Sequence, residues 1–270
     1  MDTAPESDRM GELSIPTILQ LGFAGCFIGH GAFGLITKAA WVPYFAVGGI
    51  SEPWAWRLMP WIGAMDISLG LLVFIWPCRA LFNWGMIWCV WTALLRPLSG
   101  EPFWEALERA GNYGMPLAML MTVSWTGPQF ARQHWPEISP EIRARLAWTL
   151  RLTTVALLVG HAGLGYFSHK AGLAQHYGAL GFSQPAALVP EIGAFEFIIA
   201  AFVLVLPSPM LLFFVCLWKI ATESLFLVSG APSWELIERF GSYAAPLALA
   251  FVLFGQTTTR TSFLSITKKA

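Results

Sequence analysis

Long apolar stretches recur along the sequence and constrain its fold more than any other feature. Each runs for about 18–20 residues, the length that an α-helix needs to cross a hydrocarbon core roughly 30 Å thick. Hydrophobic residues make up 56% of the 270 residues, and charged residues only 12%. Soluble domains carry about 25% charged residues. The sequence therefore predicts an all-α integral membrane protein that crosses a lipid bilayer several times.

The apolar stretches belong to an internal duplication. The segment GHGAFG at 29–34 matches GHAGLG at 160–165, and WEALERAGNYGMPLA at 104–118 matches WELIERFGSYAAPLA at 234–248. Self-similarity at a nearly fixed spacing, here about 130 residues, marks tandem copies of one structural unit. We therefore predict that the chain consists of two copies of the same fold.

Each copy holds four apolar stretches, which predicts eight transmembrane helices. Four crossings return the chain to its starting side, so both copies share one orientation and form two parallel four-helix repeats. The predicted helices are 15–37, 57–76, 80–97 and 111–127, then 148–168, 187–206, 209–228 and 241–257. The repeats occupy 14–127 and 148–257, with a cytoplasmic linker at 128–147 and polar cytoplasmic tails at 1–13 and 258–270.

The distribution of basic residues predicts the orientation of the chain. Loops on the cytoplasmic side of a membrane carry an excess of Lys and Arg. The side that holds the N-terminus carries the larger share, namely Arg9, Arg79, Arg132, Arg143, Arg145, Arg151, Arg260, Lys268 and Lys269. We therefore predict a multi-pass protein of the bacterial cytoplasmic (inner) membrane with both termini in the cytoplasm.

Charge and cysteine content argue against several classes of protein. The formal net charge is zero, which argues against a general nucleic-acid binder. The four cysteines show no CxxC spacing, so we expect small packing residues and neither a structural disulfide nor a metal site. They are Cys26, Cys78, Cys89 and Cys216.

The repeated WExxER segment places charges in an otherwise apolar chain. An acid and a base lie four residues apart in each copy, with the acid first, which favours a helical ion pair. These pairs are Glu105–Arg109 and Glu235–Arg239, and the serines expected to cap the helices are Ser99 and Ser229. We expect a short interfacial helix before the last span of each repeat. An outward-facing acidic site and a contact surface for another subunit remain alternatives.

Ionisable residues inside apolar spans are the main functional candidates, because a charge at the centre of a bilayer costs at least about 2.5–3.5 kcal/mol. His30 in the first span matches His161 in the fifth, and Asp66 in the second matches Glu196 in the sixth. We expect these four residues to form the polar site of the bundles. Their simplest role is structural, as hydrogen-bonded pairs between helices.

Further candidates for cofactor or ligand contacts lie at matching or neighbouring positions. They are Lys38, Trp88, Arg96, His169, Trp218 and Glu223. Lys219 precedes Glu223 by four residues, which predicts an internal ion pair. The two copies differ at this point, because Cys89 matches Lys219 and Ala93 matches Glu223.

Three functional interpretations use the same intramembrane residues. An imidazole beside a carboxylate in an apolar pocket can exchange protons with a quinol head group. Haem b ligation by His30 and His161 is a second interpretation, if the two repeats bring these side chains together. A transport pathway lined by the polar groups is a third.

Each half resembles the DoxX/DoxD family of four-helix membrane proteins. The resemblance rests on GHGAFGLITK and GHAGLGYFSHK in the first helix of each copy, and on DISLGLLVF and EFIIAAFVLVL in the second. Arg151 fits the family's basic start to the first helix, whereas Gln20 at the matching position departs from it. The resemblance implies membrane subunits that are linked to quinone-dependent redox chemistry.

The sequence as a whole favours a membrane-embedded subunit that supports quinone- or quinol-linked electron transfer in a bacterial membrane complex. Its expected partners are the lipid bilayer and other subunits of that complex, without nucleic acid. A non-catalytic scaffold or assembly subunit is one alternative, and a small-molecule transporter is another.

Overall fold

The computed structural model describes residues 6–135 and 138–266, with side chains described between residues 15 and 254, and it contains no β-strand within these ranges. The first half forms α1 Glu6–Leu35, α2 Val42–Val47, α3 Glu52–Ile75, α4 Arg79–Leu98, α5 Trp104–Glu108 and α6 Ala110–Thr122. The second half forms α7 Pro140–Tyr166, α8 Ala171–Ala179, α9 Pro185–Val205, α10 Pro209–Val228, α11 Trp234–Ile237 and α12 Phe240–Ile266. The all-helical fold class is therefore confirmed.

The outer predicted segments extend beyond the described residues. Of the tails predicted at 1–13 and 258–270, residues 1–5 and 267–270 lie outside the description, as do residues 136 and 137 of the linker. Within the described ranges, α1 begins at Glu6 and α12 continues to Ile266. Both helices therefore extend into the segments predicted as tails.

Five of the described helices are long and apolar enough to cross a membrane. They are Ile15–Leu35 within α1, Glu52–Ile75, Pro185–Val205, Pro209–Val228 and the stretch Trp234–Phe254. A sixth candidate is the pair α7 and α8, which is bent by 88°. The helix α6 has 13 residues, and at about 1.5 Å per residue it is shorter than a hydrocarbon core.

The outer faces of these helices expose large apolar side chains, which suits contact with lipid. Trp61 of α3 is 75% exposed and Met210 at the start of α10 is 83% exposed. Similar side chains continue along α4 and α9, among them Ile87 and Phe202. Contiguous apolar surface of this kind is unusual on a soluble monomer. The chain therefore has the surface of a membrane protein.

Four helices form the centre of the bundle and four others surround them. The central helices α6 and α12 contact each other, and each also contacts α1 and α7. On the outside, α3 packs on α1, α9 on α7, α4 on α6 and α10 on α12. Each half therefore contributes its first and last long helix to the common core. The contact between α3 and α4 is slight, and space remains between these two helices.

The closest approach in the core joins α6 and α12. A Cβ atom on Gly111 would lie 2.5 Å from the carbonyl carbon of Gly241, and one on Gly241 would lie 2.4 Å from the carbonyl carbon of Gly111. Both distances are shorter than non-bonded carbon atoms allow. Glycine at these two matched positions is therefore what lets the two halves meet backbone to backbone.

Substituting Gly111 by Ala is expected to destabilise the fold by roughly 1–3 kcal/mol, because the new methyl group forces α6 and α12 apart. Thermal unfolding of the purified protein in detergent measures the effect. Gly172→Ala in α8 is the matched control, because no atom lies within 4 Å of the added carbon there. Equal unfolding temperatures for the two variants would contradict this account of the crossing.

The short helices before α6 and α12 are present, but the predicted caps are wrong. The helix α5 begins at Trp104 and α11 at Trp234, several residues after Ser99 and Ser229. Both serines instead lie at the ends of α4 and α10, where their hydroxyl groups bond to carbonyls of the preceding turn.

The acidic side chains of these short helices are buried in the protein. Glu105 is 2% exposed and Glu235 is 9% exposed. Nζ of Lys170 lies 2.5 Å from Oε1 of Glu105, and Nζ of Lys38 lies 2.7 Å from Oε1 of Glu235. Each acid therefore pairs with a lysine of the opposite half.

Only one of the two predicted helical ion pairs forms. Glu235 lies 2.6 Å from Arg239, as predicted. In the first half, Arg109 pairs with Glu108 at 2.8 Å. The predicted Glu105–Arg109 pair is wrong because Lys170 and Arg96 already occupy the Glu105 carboxylate. In the second half, Phe226 stands at the position that matches Arg96. Because phenylalanine cannot form an ion pair, Glu235 pairs with Arg239 and Lys38 instead.

Candidate ligand-binding site

Both predicted histidine–carboxylate pairs are present between neighbouring helices. Nδ1 of His30 on α1 lies 2.8 Å from Oδ2 of Asp66 on α3. Nδ1 of His161 on α7 lies 2.5 Å from Oε2 of Glu196 on α9. Asp66 and Glu196 have no solvent exposure. The sequence therefore identified a histidine–carboxylate contact between the first and second long helices of each half.

Glycine residues place His30 and Asp66 within hydrogen-bonding distance. A Cβ atom on Gly63 of α3 would lie 2.5 Å from the carbonyl oxygen of Gly31 on α1. The two backbones therefore touch one turn away from the polar pair. Such close contact fixes the helix spacing, so the short aspartate side chain reaches the imidazole.

A cavity of ≈ 280 Å³ opens beside His30 and Asp66. It lies between α1, α3 and α4, with α2 and the start of α6 closing its ends. Aromatic rings form much of its wall, namely Trp41, Tyr44, Phe45, Trp88 and Trp91. Ligand pockets of roughly 300–1,000 Å³ bind drug-sized molecules. A cavity of this size suits a single-ring ligand.

The imidazole of His30 is held on two sides and has one nitrogen left for a ligand. Its ring stacks on Trp41 with the ring centroids 4.4 Å apart. Nδ1 bonds to Asp66, and the side chain is 25% exposed towards the cavity. The carboxylate fixes the orientation of the ring. Nε2 is therefore the atom that can exchange a proton with a bound molecule.

Hydrogen-bonding side chains form the opposite end of the cavity. Arg96 on α4, Arg109 before α6 and Asn112 on α6 all line it. Arg96 bonds to Glu101 at 3.1 Å, and the Tyr44 hydroxyl donates to the same carboxylate. Burial alone would raise the pKa of Glu101, but the Tyr44 hydrogen bond and the charge of Arg96 hold it below its usual value.

In the second half, charged side chains occupy the positions that match Cys89 of the cavity wall and its neighbour Ala93. Nζ of Lys219 lies 2.8 Å from Oε1 of Glu223, and Nε of Arg239 lies 2.9 Å from Oε2 of Glu223. Lys219 and Glu223 are each 1% exposed. The two halves therefore differ in charge and side-chain size next to the matched histidine–carboxylate pairs.

The remaining predicted site residues divide between the cavity and other contacts. Trp88 and Arg96 line the cavity. The indole nitrogen of Trp218 donates to Oε1 of Glu196 at 2.9 Å. Lys38 forms an ion pair with Glu235. His169 is exposed in the turn after α7, where its backbone φ is 45°. Neither Lys38 nor His169 belongs to the cavity wall.

Several cavity residues were not identified from the sequence. Trp41 and Tyr44 lie in the loop between the first two spans, and Glu238 reaches the first-half cavity from the second half. Arg109 was read only as a partner of Glu105. One signal for Tyr44 was present, since polar Tyr44 matches His176 at an offset of 132 residues. Contacts that cross between the halves leave no such local signal.

The described residues contain no cluster of three or more His, Cys, Asp or Glu side chains that could hold a metal ion. All four cysteines are buried and free of disulfides, and Cys26 and Cys89 contribute to the cavity wall. Comparisons with protein-family models, with curated proteins and with solved structures find no significant match to this chain.

Proposed function

We propose that the chain is a membrane-embedded subunit that crosses the bilayer eight times as two parallel four-helix repeats, with α5 and α6 together forming the fourth crossing, as Trp234–Phe254 forms the eighth. Matched contacts support the repeats: Gly29 of α1 packs on the backbone of Glu238, and Gly160 of α7 packs on the backbone of Glu108. Two such halves would be related by a pseudo-two-fold axis between Gly111 and Gly241. The basic residues favour a bacterial cytoplasmic membrane with both termini in the cytoplasm.

The function that the site supports best is binding of a quinone or quinol head group, in a subunit that supports electron transfer in a larger membrane complex. The observation that carries this proposal is the pairing of His30 with Asp66 at the wall of an aromatic cavity. A planar ring can stack on the indoles, and Arg96 and Arg109 can donate hydrogen bonds to its oxygen atoms. The resemblance to quinone-linked membrane subunits points in the same direction.

His30 would handle the protons of this chemistry. Oxidation of a quinol to a quinone releases two electrons and two protons. The His30–Asp66 pair would accept each proton in turn. The electrons would pass to an electron acceptor in a partner subunit of the complex. The reverse direction uses the same groups for quinone reduction.

Haem b ligation by His30 and His161 has less support. Each histidine uses Nδ1 for a carboxylate on a different helix, α3 or α9. The wall of the cavity includes His30 but not His161. A haem bound in this cavity could therefore reach His30 but not His161.

His30→Ala is expected to lower quinol-dependent electron transfer by about 100-fold or more, the usual contribution of a positioned acid–base group. The measurement uses membranes of a host strain that expresses the full chain, with the co-purifying molecules identified by absorption and mass spectrometry. His134→Ala is the matched control, since His134 is exposed in the linker. An unchanged rate for His30→Ala, with no quinone bound to the wild-type protein, would disprove the proposal.

The two competing functions give different results in the same preparation. A scaffold subunit would co-purify with its partners and show little effect of His30→Ala. A small-molecule transporter would drive uptake into proteoliposomes that contain this chain alone. Quinone bound at the cavity, together with loss of electron transfer in the variant, distinguishes the proposed function from both.

A further inference from the structure

Two buried polar atoms at the cavity lack a hydrogen-bond partner among the described residues. They are Oδ1 of Asp66 and the indole Nε1 of Trp88. Both residues belong to the cavity wall. A buried donor and a buried acceptor without partners are costly, and native proteins satisfy nearly all such groups. A bound molecule that satisfies both atoms would remove this cost.

In the second half, the residues at the same two positions are bonded to each other. Oε2 of Glu196 bonds to His161 at 2.5 Å, and its Oε1 accepts from Nε1 of Trp218 at 2.9 Å. Asp66 matches Glu196 and Trp88 matches Trp218. Aspartate is shorter by one methylene group, so Asp66 reaches His30 but makes no bond to Trp88. The shorter acid thus leaves one acceptor and one donor available.

We propose that Asp66 and Trp88 together bind a hydroxyl group of the ligand. The hydroxyl hydrogen is donated to Oδ1 of Asp66, and the hydroxyl oxygen accepts from Nε1 of Trp88. A carbonyl oxygen satisfies Trp88 alone, because it has no hydrogen for the carboxylate. This inference rests on the proposed function and specifies it: the site prefers the hydroxyl-bearing quinol to the quinone.

The neighbouring groups are consistent with a neutral hydroxyl donor. Oδ2 of Asp66 is already occupied by His30, and Glu238 adds a second carboxylate to the cavity wall. Two acidic groups near the ring favour a ligand that donates hydrogen bonds. Arg96 and Arg109 line the same cavity, and the N–H groups that their carboxylate partners leave unused can donate to the other oxygen of the ring.

Anaerobic titration of the purified full-length protein with three probes tests the inference. The probes are duroquinol, duroquinone and the dimethyl ether of duroquinol, which keeps the ring but lacks both hydroxyl hydrogens. Quenching of tryptophan fluorescence follows binding, since Trp41, Trp88 and Trp91 line the cavity. We expect the quinol to bind at least roughly tenfold more tightly than the other two, because sites built around a hydroxyl reject analogues that lack it.

Two variants separate the hydroxyl contact from general packing. In Asp66→Glu the longer acid should bond to Trp88 as Glu196 does to Trp218, which removes the preference for duroquinol. Trp88→Phe keeps an aromatic ring but loses the donor, so it should weaken binding of duroquinol and of duroquinone alike, because an oxygen atom of either can accept from Nε1. Trp148→Phe on the exposed face of α7 is the matched control.

The outcomes distinguish this inference from the function on which it rests. Equal affinity of the wild-type protein for duroquinol and duroquinone overturns the hydroxyl contact and leaves a quinone site in place. Binding of none of the three probes overturns the quinone site itself. If Asp66→Glu fails to fold, the wild-type protein still decides the question, because binding of the dimethyl ether as tightly as duroquinol overturns the inference on its own.

Discussion

Replacing Cys89 by Lys and Ala93 by Glu in one chain is expected to abolish quinol binding. These substitutions introduce the residues found at the matching positions of the second half, Lys219 and Glu223. There the two charged groups lie 2.8 Å apart and are almost fully buried. The lysine at position 89 would project into the cavity, since Cys89 lines its wall. We expect affinity for duroquinol to fall by at least roughly 100-fold, about 2.7 kcal/mol.

The same double variant should still fold, because the second half shows that the architecture accepts this ion pair. Arg109 would take the place that Arg239 holds beside Glu223. Fluorescence titration measures binding, and thermal unfolding in detergent verifies the fold. A Cys89→Ala plus Ala93→Ser variant is the control, since it alters both positions without filling the cavity. Wild-type affinity in a folded Lys–Glu variant would refute the placement of the ligand.

The sequence predicted the long helices well because their signal is local. Apolar runs with glycine and proline at their ends define a helix without reference to the rest of the chain. The pairing of His30 with Asp66 followed from a second kind of signal. Each copy has a histidine in its first span and a carboxylate at a matching position in its second span. Because both groups are polar and lie inside apolar helices, we expected them to pair with each other.

The partners of Glu105 and the role of Glu238 could not be predicted in this way. Glu105 pairs with Lys170, and Glu238 lines a cavity that otherwise belongs to the first half. Both contacts arise because α12 packs on α1 and α6 packs on α7. Spacing within one copy carries no information about such crossings. The i,i+4 rule therefore predicted a Glu105–Arg109 pair that the tertiary contacts replaced.

The matched helices of the two halves place the same kinds of residues around a histidine–carboxylate pair. The halves differ at one position of the cavity wall and its neighbour, where Cys89 and Ala93 match Lys219 and Glu223. The cavity wall of the first half also includes Glu238 from the second half, and the glycine crossing uses one residue from each half. Both halves are therefore needed to build the cavity.

The ion network of the second half should respond unequally to removal of its members. Glu223→Gln is expected to destabilise the protein by about 3–5 kcal/mol, because it leaves Lys219 as an uncompensated buried charge. Among the described residues, Glu223 is the only acid within ion-pair distance of Lys219. Lys219→Met should cost much less. In that variant Glu223 keeps its contact with Arg239 at 2.9 Å, and the methionine fills most of the volume.

The double variant Lys219→Met plus Glu223→Gln gives the sharpest test, because removing both charges eliminates the orphaned cation. It should be more stable than Glu223→Gln alone, so the two substitutions are strongly non-additive. Arg239 remains paired with Glu235 and Glu238 in every variant. Unfolding free energies in mixed micelles provide the comparison, with Glu191→Gln on the exposed face of α9 as the control. Additive losses of unfolding free energy would mean that the Lys219–Glu223 ion pair does not stabilise the protein, and that the second half is stabilised by other contacts.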